Sequence, residues 1–239
     1  MNIIKKKIIF IAFALFTFRL SADVYDDFIF INENYCSSYD SFFSKQRLEV
    51  YSKDEKISEL PSYSIYSKSS QFTSIVKKEK ITNFLSTQRG YWISNQNLKN
   101  PLKVSGSYKI EEIAIQDILK FNFDTDFSVV EKKENVVSLE RKNKKVSYAY
   151  ALLTKENDDF ILILQDSNKN NVKKIIYSPG NIGDLKLFTK IYIYNLALDS
   201  TEYRCYVTLS VKPVKAASSL FIPENMQILA KMVKYEYER

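Results

Sequence analysis

The sequence contains no histidine among its 239 residues. This absence excludes Ser-His-Asp triads, Cys-His nucleophile pairs and zinc sites that use histidine ligands. Asp117, Asp124 and Asp126 could act as paired carboxylates of a glycosidase, but acids near the ends of strands are more often solvated turn residues. We therefore expect a protein that is not an enzyme, with no catalytic residues, no metal site and no cofactor.

Glycine and proline are also scarce, with four and five residues respectively, and this excludes collagen-like, low-complexity and disordered classes. In contrast, the chain is 45% hydrophobic and has 17 tyrosines and 16 phenylalanines. A chain of this length can bury a sizeable core, and no linker or repeat interrupts it. We expect residues 23–239 to form a single domain.

Only two cysteines occur, Cys36 and Cys205. In an oxidising compartment they could form a disulfide that closes a long loop. Two buried free thiols are the alternative, and the sequence does not choose between them.

The N-terminus has the three parts of a secretory signal peptide. Three lysines, Lys5 to Lys7, precede an apolar run over residues 8–18 and the small-residue site Leu20-Ser21-Ala22. The apolar run is too short to span a bilayer. Because Cys36 lies well past Ala22, we expect an unlipidated mature chain that begins at Asp23, in the periplasm, with an uncleaved N-terminal anchor as the alternative.

Removing residues 1–22 also changes the charge. This segment holds four basic residues and no acid, so its loss lowers the formal net charge from +7 to +3. A nearly balanced mature protein argues against a nucleic-acid partner.

Two kinds of hydrophobic periodicity follow in the mature chain. Apolar residues at steps of three and four predict an amphipathic helix over residues 24–44, and Pro223 starts a short helix over residues 223–232. From Arg47 onward the period becomes two, which is typical of half-buried strands joined by short polar turns. The strand segments include residues 48–50, 63–65, 72–76, 119–123, 148–152 and 160–164.

Several strands carry apolar residues on both faces, including 148–152, 160–164 and 191–198. One interpretation is an ordinary sheet with one face against a helix and surface tyrosines on the other. The other is a strongly curved antiparallel sheet whose inner face is too wide for its own side chains to fill, with helix 24–44 as a lid. The second arrangement makes an apolar ligand cavity.

The stretch from Thr87 to Phe123 favours the second interpretation. Its segments Arg89-Gly90-Tyr91-Trp92-Ile93, Asn97-Leu98-Lys99, Lys103-Val104-Ser105-Gly106-Ser107 and Gln116-Asp117-Ile118 resemble the central signature of the LolA-like outer-membrane lipoprotein-sorting proteins. The segment Phe221-Ile222-Pro223-Glu224 also resembles the Ile-Pro-Asp/Glu motif near the end of the family's sequences. About 35 residues carry the specific likeness, whereas the order of helix, strands and signature covers most of the mature chain.

The resemblance implies a mainly β fold with a few helices, namely an incomplete antiparallel β-barrel with helices covering the concave face. It implies a periplasmic carrier that binds lipoprotein acyl chains and transfers lipoproteins from the inner to the outer membrane. The implied partners are acylated lipoproteins, an inner-membrane ABC lipoprotein exporter and a possible outer-membrane acceptor, and the implied state is a monomer.

Combined with the two-sided strands, this likeness gives a set of candidate site residues. The predicted lipid-binding residues are Trp92, Ile93, Phe121, Phe123, Tyr148, Tyr150, Leu162, Leu164, Ile191 and Ile193. The predicted lid-helix residues are Phe28, Ile31, Tyr35 and Phe42.

Three alternatives stay open besides the enzyme. A carrier of glycolipid or free lipid could share the same fold, and an exported β-rich adhesin or other surface protein could share the strand pattern. A transmembrane β-barrel would place an uninterrupted apolar band on its lipid face. Lys77, Lys186 and Lys190 fall inside the predicted strands and argue against that barrel.

Overall fold

The computed structural model describes residues 23–67, 70–110, 113–118, 123–196 and 201–238. The predicted signal peptide, residues 1–22, lies outside these residues. No helix in the described ranges is long and apolar enough to cross a membrane.

More than half of the described residues lie in strands, well above the 20–25% of an average domain. The strands are β1 (Ser41–Ser52), β2 (Glu55–Ser67), β3 (Ser70–Lys77), β4 (Lys80–Thr87), β5 (Gly90–Asn95), β6 (Leu102–Val104), β7 (Lys109–Ile110), β8 (Ile113–Ala114), β9 (Phe127–Lys133), β10 (Val136–Arg141), β11 (Tyr150–Glu156), β12 (Asp159–Gln165), β13 (Asn171–Ile182), β14 (Leu185–Asn195) and β15 (Glu202–Pro213). The helices are α1 (Val24–Ser38), α2 (Ile115–Ile118), α3 (Phe123–Asp126) and α4 (Met226–Glu238).

Thirteen strands form one antiparallel sheet in the order β6-β5-β4-β3-β2-β1-β15-β14-β13-β12-β11-β10-β9. Two meanders run outward from the centre, where β1 pairs with β15 from Phe42 opposite Pro213 to Ser52 opposite Glu202. The sheet is curved and does not close, and β7 and β8 make a separate two-stranded ribbon. This arrangement confirms the predicted mainly β, incomplete-barrel fold class.

The two faces of the sheet pack against different helices. On the face that we call the inner face, α1 buries Phe28 and Ile31 among residues of β9 to β15. On the outer face, α4 buries Leu229 and Val233 against β1 to β4. The predicted position of the first helix against the sheet is therefore correct, and the core lies on both sides of β1 to β5.

The first helix ends earlier than predicted. It stops at Ser38, and Phe42 lies in β1 opposite Tyr66 of β2, with its ring stacked on the Tyr66 ring at 4.6 Å. Phe42 and Phe43 point to opposite faces, which a strand permits and a single helical stripe does not. The spacing of Tyr39 and Phe42 continued the helical period by coincidence.

Two other boundaries differ. Phe123, assigned to a strand from its alternation with residue 121, begins the short helix α3, and residues 119–122 lie outside the described residues. The C-terminal helix starts with a 3-10 turn at Pro223–Asn225 and continues as α4 to Glu238, beyond the predicted end at residue 232.

Candidate functional site

The inner face of the second meander is filled by aromatic rings that surround one side chain of α1. The Phe28 ring is fully buried, with centroid distances of 4.8 Å to Phe123, 5.1 Å to Tyr177, 5.2 Å to Phe188 and 5.5 Å to Phe160. Three of these contacts are edge-to-face, a favourable ring geometry. Phe28 therefore occupies the centre of the apolar inner surface.

An aliphatic row continues this surface across five strands. Its members lie directly opposite one another in the register from β10 to β14, and all are buried on the inner face. The row consists of Val137, Leu153, Leu162, Ile175 and Ile193. With α1 in place, the row and the rings form a packed apolar core.

Ion pairs with β9 and β11 hold the first turn of α1. Lys132 of β9 lies 2.5 Å from the Asp23 carboxylate and 3.7 Å from that of Asp26, and Lys155 of β11 lies 3.0 Å from that of Asp27. The hydrogen bond from Lys132 lowers the pKa of Asp23, and Asp23 in turn raises the pKa of Lys132. These groups are partly exposed, so each pair contributes at most about 1 kcal/mol.

A cleft of about 400 Å³ runs along α1 beside these ion pairs, between the helix and the ends of two hairpins. Asp27, Phe30, Lys155 and Phe160 line it. Phe30 is 63% exposed, whereas Phe160 belongs to the ring cluster around Phe28. The cleft therefore leads from solvent to the edge of the apolar inner surface.

The inner face of β1 to β3 is buried but polar. The Ser64 hydroxyl is 2.8 Å from the Thr73 hydroxyl and donates to Gln46 Oε1 at 3.3 Å. Gln71 Nε2 donates to Thr73 Oγ1 at 2.9 Å and to the Tyr66 hydroxyl at 3.3 Å. Ser64 and Thr73 are almost inaccessible to solvent. The inner surface thus has an apolar half over β10 to β14 and a hydroxyl-rich half over β1 to β3.

Most of the predicted site residues lie together on the inner face. Ile93, Phe123, Tyr148, Leu162, Leu164 and Ile193 are buried in the same cluster as the lid-helix residues Phe28 and Ile31, and Ile191 packs against it. Phe121 lies outside the described residues, and the Tyr35 side chain is not described.

The structure corrects the face assigned to two residues. Trp92 packs on the outer face beside the α4 cluster, with Lys103 Nζ 5.5 Å from its ring, because its neighbours Tyr91 and Ile93 point inward. Tyr150 starts β11, whose inward residues are Ala151 and Leu153. The irregular chain before β11 breaks the alternation that links Tyr148 to Tyr150.

Tyr177, Phe188 and Tyr206 belong to the inner cluster but were not among the predicted residues. Tyr177 follows Ile175 at the period of two, a signal present in the sequence. Phe188 points inward because a bulge at Ser178 and Pro179 shifts the register of β13 and β14. Pro179 and Gly180 are the sequence sign of this bulge, because proline within a sheet is confined to edges and bulges.

Cys205 carries a buried free thiol in β15, and burial raises its pKa to about 11. A thiol in this state is a poor nucleophile. The Cys36 side chain is not described.

Comparisons with known proteins identify the fold. No model of a protein family and no curated protein sequence matches this chain. Among solved structures, it is similar to a LolA superfamily protein from Nitrosomonas europaea, with a TM-score of 0.67, 17% identity, and coverage of 84% of this chain and 96% of that one.

Two further structures share the fold. An outer membrane lipoprotein-sorting protein domain, so named, from Vibrio parahaemolyticus has a TM-score of 0.61 at 12% identity, with 85% of this chain and 97% of that chain covered. A DUF1329 family protein from Desulfovibrio piger has a TM-score of 0.60 at 14% identity, with 85% and 98% covered. The chain has a LolA-like fold, in agreement with the resemblance seen around Trp92.

Proposed function

We propose that this protein is a periplasmic carrier that binds the acyl chains of lipoproteins on the apolar inner face and moves them from the inner to the outer membrane. The observation that carries this proposal is the Phe28 cluster. The helix α1 covers an apolar surface that spans five strands. It is held there by one central ring and by the ion pairs of its first turn with β9 and β11. Withdrawal of α1 would expose this surface to acyl chains.

The energetics explain why a cover is needed. Burying one methylene group away from water is favourable by about 0.8 kcal/mol. Moving an acyl chain of about 15 methylenes from a membrane into water would therefore cost about 12 kcal/mol of free energy. An empty apolar cavity would be costly for the protein for the same reason. In the proposed cycle α1 fills the surface when no cargo is present, and acyl chains replace Phe28 when cargo binds.

The resemblance and the fold also support proposed partners. One of the similar structures is named for outer membrane lipoprotein sorting, and an inner-membrane ABC lipoprotein exporter and an outer-membrane acceptor are the partners such a carrier needs. We expect the carrier to act as a monomer.

The test is to fix α1 to the sheet. In a Cys36→Ser/Cys205→Ala background, Asp27→Cys with Lys155→Cys places two thiols where an ion pair now joins α1 to β11. A short bis-maleimide then cross-links them. We expect the cross-linked protein to lose binding of a fluorescent fatty-acid probe and transfer of a triacylated lipopeptide between vesicles, and the untreated double variant to retain both.

A matched control fixes the other helix. Lys212→Cys with Glu236→Cys replaces an ion pair of 2.7 Å between β15 and α4. Cross-linking here should leave lipid binding unchanged. Equal binding by the α1-locked and unlocked proteins would show that α1 does not cover the lipid site.

A further inference from the structure

Three buried hydroxyls in or beside the hydroxyl-rich half of the inner face lack a hydrogen-bond partner among the described residues. They are Ser44 Oγ, Ser62 Oγ and the Tyr206 hydroxyl. Ser44, Ser62 and Tyr206 are only 2%, 0% and 5% exposed. Buried polar groups are nearly always hydrogen-bonded, so three unpaired hydroxyl groups on one surface need an explanation.

These hydroxyls surround a single residue, Gln46. Ser44 is two residues before Gln46 in β1 and therefore shares its face, and Ser62 is the residue directly opposite Gln46 in β2. Tyr206 lies on the other side, in β15, opposite Leu48. Strand spacing places all three side chains around Gln46 within one cluster. We call Ser44, Gln46, Ser62 and Tyr206 the hydroxyl cluster.

The hydroxyl cluster borders the apolar half of the inner face. Leu48 and Tyr206 both belong to the core cluster that contains Phe28. An acyl chain that replaces the Phe28 ring and extends towards β1 would therefore reach the hydroxyl cluster. One end of such a chain is a methyl group, and the other is the carbonyl of its ester or amide linkage, which is the end that can accept hydrogen bonds.

The chemistry of the cluster matches a carbonyl acceptor. None of its members carries a charge, and hydroxyl groups can donate to any nearby acceptor. Burial raises the pKa of the Tyr206 phenol, so this group stays protonated and able to donate. Arg204, two residues earlier in β15 and on the same face as Tyr206, lies 3.3 Å from the Glu202 carboxylate through its Nη2 atom, and its buried Nε also lacks a partner among the described residues.

We infer that Ser44, Ser62 and Tyr206 form a subsite for the uncharged linkages of the cargo, where their hydroxyls donate hydrogen bonds to the ester or amide carbonyls that join the acyl chains to the carried molecule. This inference rests on the proposed function. It assigns recognition of the linkage to β1, β2 and β15, and recognition of the chains to β10 to β14.

The experiment compares two lipids that differ only in these carbonyls. Dipalmitoylglycerol and its ether analogue dihexadecylglycerol have chains of equal length and the same free hydroxyl. Each is titrated against a bound fluorescent fatty-acid probe. We expect wild type to bind the ester about tenfold more tightly than the ether, as hydrogen bonds of ordinary net strength allow.

The test variant is S44A/S62A/Y206F, which removes the three hydroxyls and keeps the remaining shape. It should bind both lipids equally, with the ether affinity unchanged. Because the hydroxyls lack partners among the described residues, the variant should melt at the same temperature as wild type or higher. The control S94A removes the orphan hydroxyl of Ser94, which lies on the outer face, and should keep the ester preference.

The outcomes separate the two proposals. Equal binding of ester and ether by wild type overturns the subsite and leaves the carrier proposal standing, as expected if buried water alone satisfies the hydroxyls. A variant that weakens both lipids alike, or that melts well below wild type, assigns the cluster a structural role and overturns the subsite. Failure of wild type to bind either lipid overturns both proposals.

Discussion

The two long helices cover opposite faces of one sheet, but they are attached differently. The segment before α4 is tied to β1 through the Ser41 hydroxyl, which donates to the Val214 carbonyl at 2.6 Å and accepts from Ala216 N–H at 3.0 Å. The contacts described for α1 with the sheet are rings, aliphatic groups and partly exposed carboxylates. The outer helix is thus tied to the scaffold through the segment that precedes it, whereas no backbone hydrogen bond among the described residues joins α1 to the sheet.

The packing under the two helices also differs, and it is more extensive under α4. Under α4, a row from Phe43 through Ile65, Phe72 and Leu85 to Trp92 crosses five strands, and the first four of these residues are fully or almost fully buried. Under α1, the central contact is the single Phe28 ring, in a cluster that the short helix α3 completes through Phe123. Loss of one side chain should therefore have different consequences at the two helices.

The largest effect is expected for Phe28→Ala. Removing a fully buried ring typically costs about 3–5 kcal/mol of unfolding free energy. Because the cavity lies where acyl chains are proposed to bind, fatty acid should raise the melting temperature of the variant more than that of wild type. Thermal melts with and without lipid check this. An equal rise in the melting temperature of both proteins would show that the lipid does not bind at the position of the Phe28 ring.

On α4, Leu229→Ala should cost about 2–5 kcal/mol, since Leu229 is fully buried against the outer face. Lipid should not rescue this variant preferentially. Ile228→Ala, at a neighbouring position that is 48% exposed, is the control and should change stability by less than about 0.5 kcal/mol. Urea unfolding measures all three proteins, and selective rescue of Leu229→Ala by lipid would contradict the division of roles.

A smaller effect is expected at the edge of α1. Asp27→Asn removes the ion pair with Lys155, and at this partly exposed site the loss of stability should be below about 1 kcal/mol. If the pair helps to hold α1 against the sheet, the variant should bind a fatty-acid probe faster than wild type. Added salt screens the pair, so the binding rate of wild type should rise with salt concentration. Stopped-flow binding at several salt concentrations checks this, with Glu236→Asn on α4 as the control.

The smallest effect is a pH dependence at Asp23. Lys132 lowers the pKa of this carboxyl in the folded protein, so its contribution is present above the unfolded pKa of about 3.9 and is lost as the pH falls through the lowered folded value. Asp23 Oδ1 accepts a hydrogen bond from the Tyr25 N–H at 2.9 Å, and Asp23→Asn keeps an oxygen that can accept it. The variant should be less stable than wild type at pH 7 by up to about 1 kcal/mol. The difference should disappear towards pH 2; a difference that does not change with pH would contradict a contribution from the Asp23 charge.

Sequence periodicity was sufficient to predict side-chain direction where the local backbone is a regular helix or strand. Phe28 and Ile31 share a helical stripe, and Leu162 and Leu164 share a strand face, because side-chain direction follows directly from backbone period. The same reasoning failed at Tyr150, where an irregular segment precedes the strand, and at Phe42, where two adjacent phenylalanines serve opposite faces. Residues 89–118 carried enough specific pattern to indicate the fold.

The sequence was enough to predict the mainly β architecture, the first amphipathic helix and the apolar character of the strands that face it. It was not enough to predict that β1 pairs with β15, about 160 residues away, because the pairing of strands far apart in the chain leaves no local pattern. That pairing brings Tyr206 to the neighbourhood of Gln46 and Ser62. Two serines and a glutamine give no hydrophobic signal, so their enclosure with Tyr206 in one buried cluster becomes visible only when the strands are assembled.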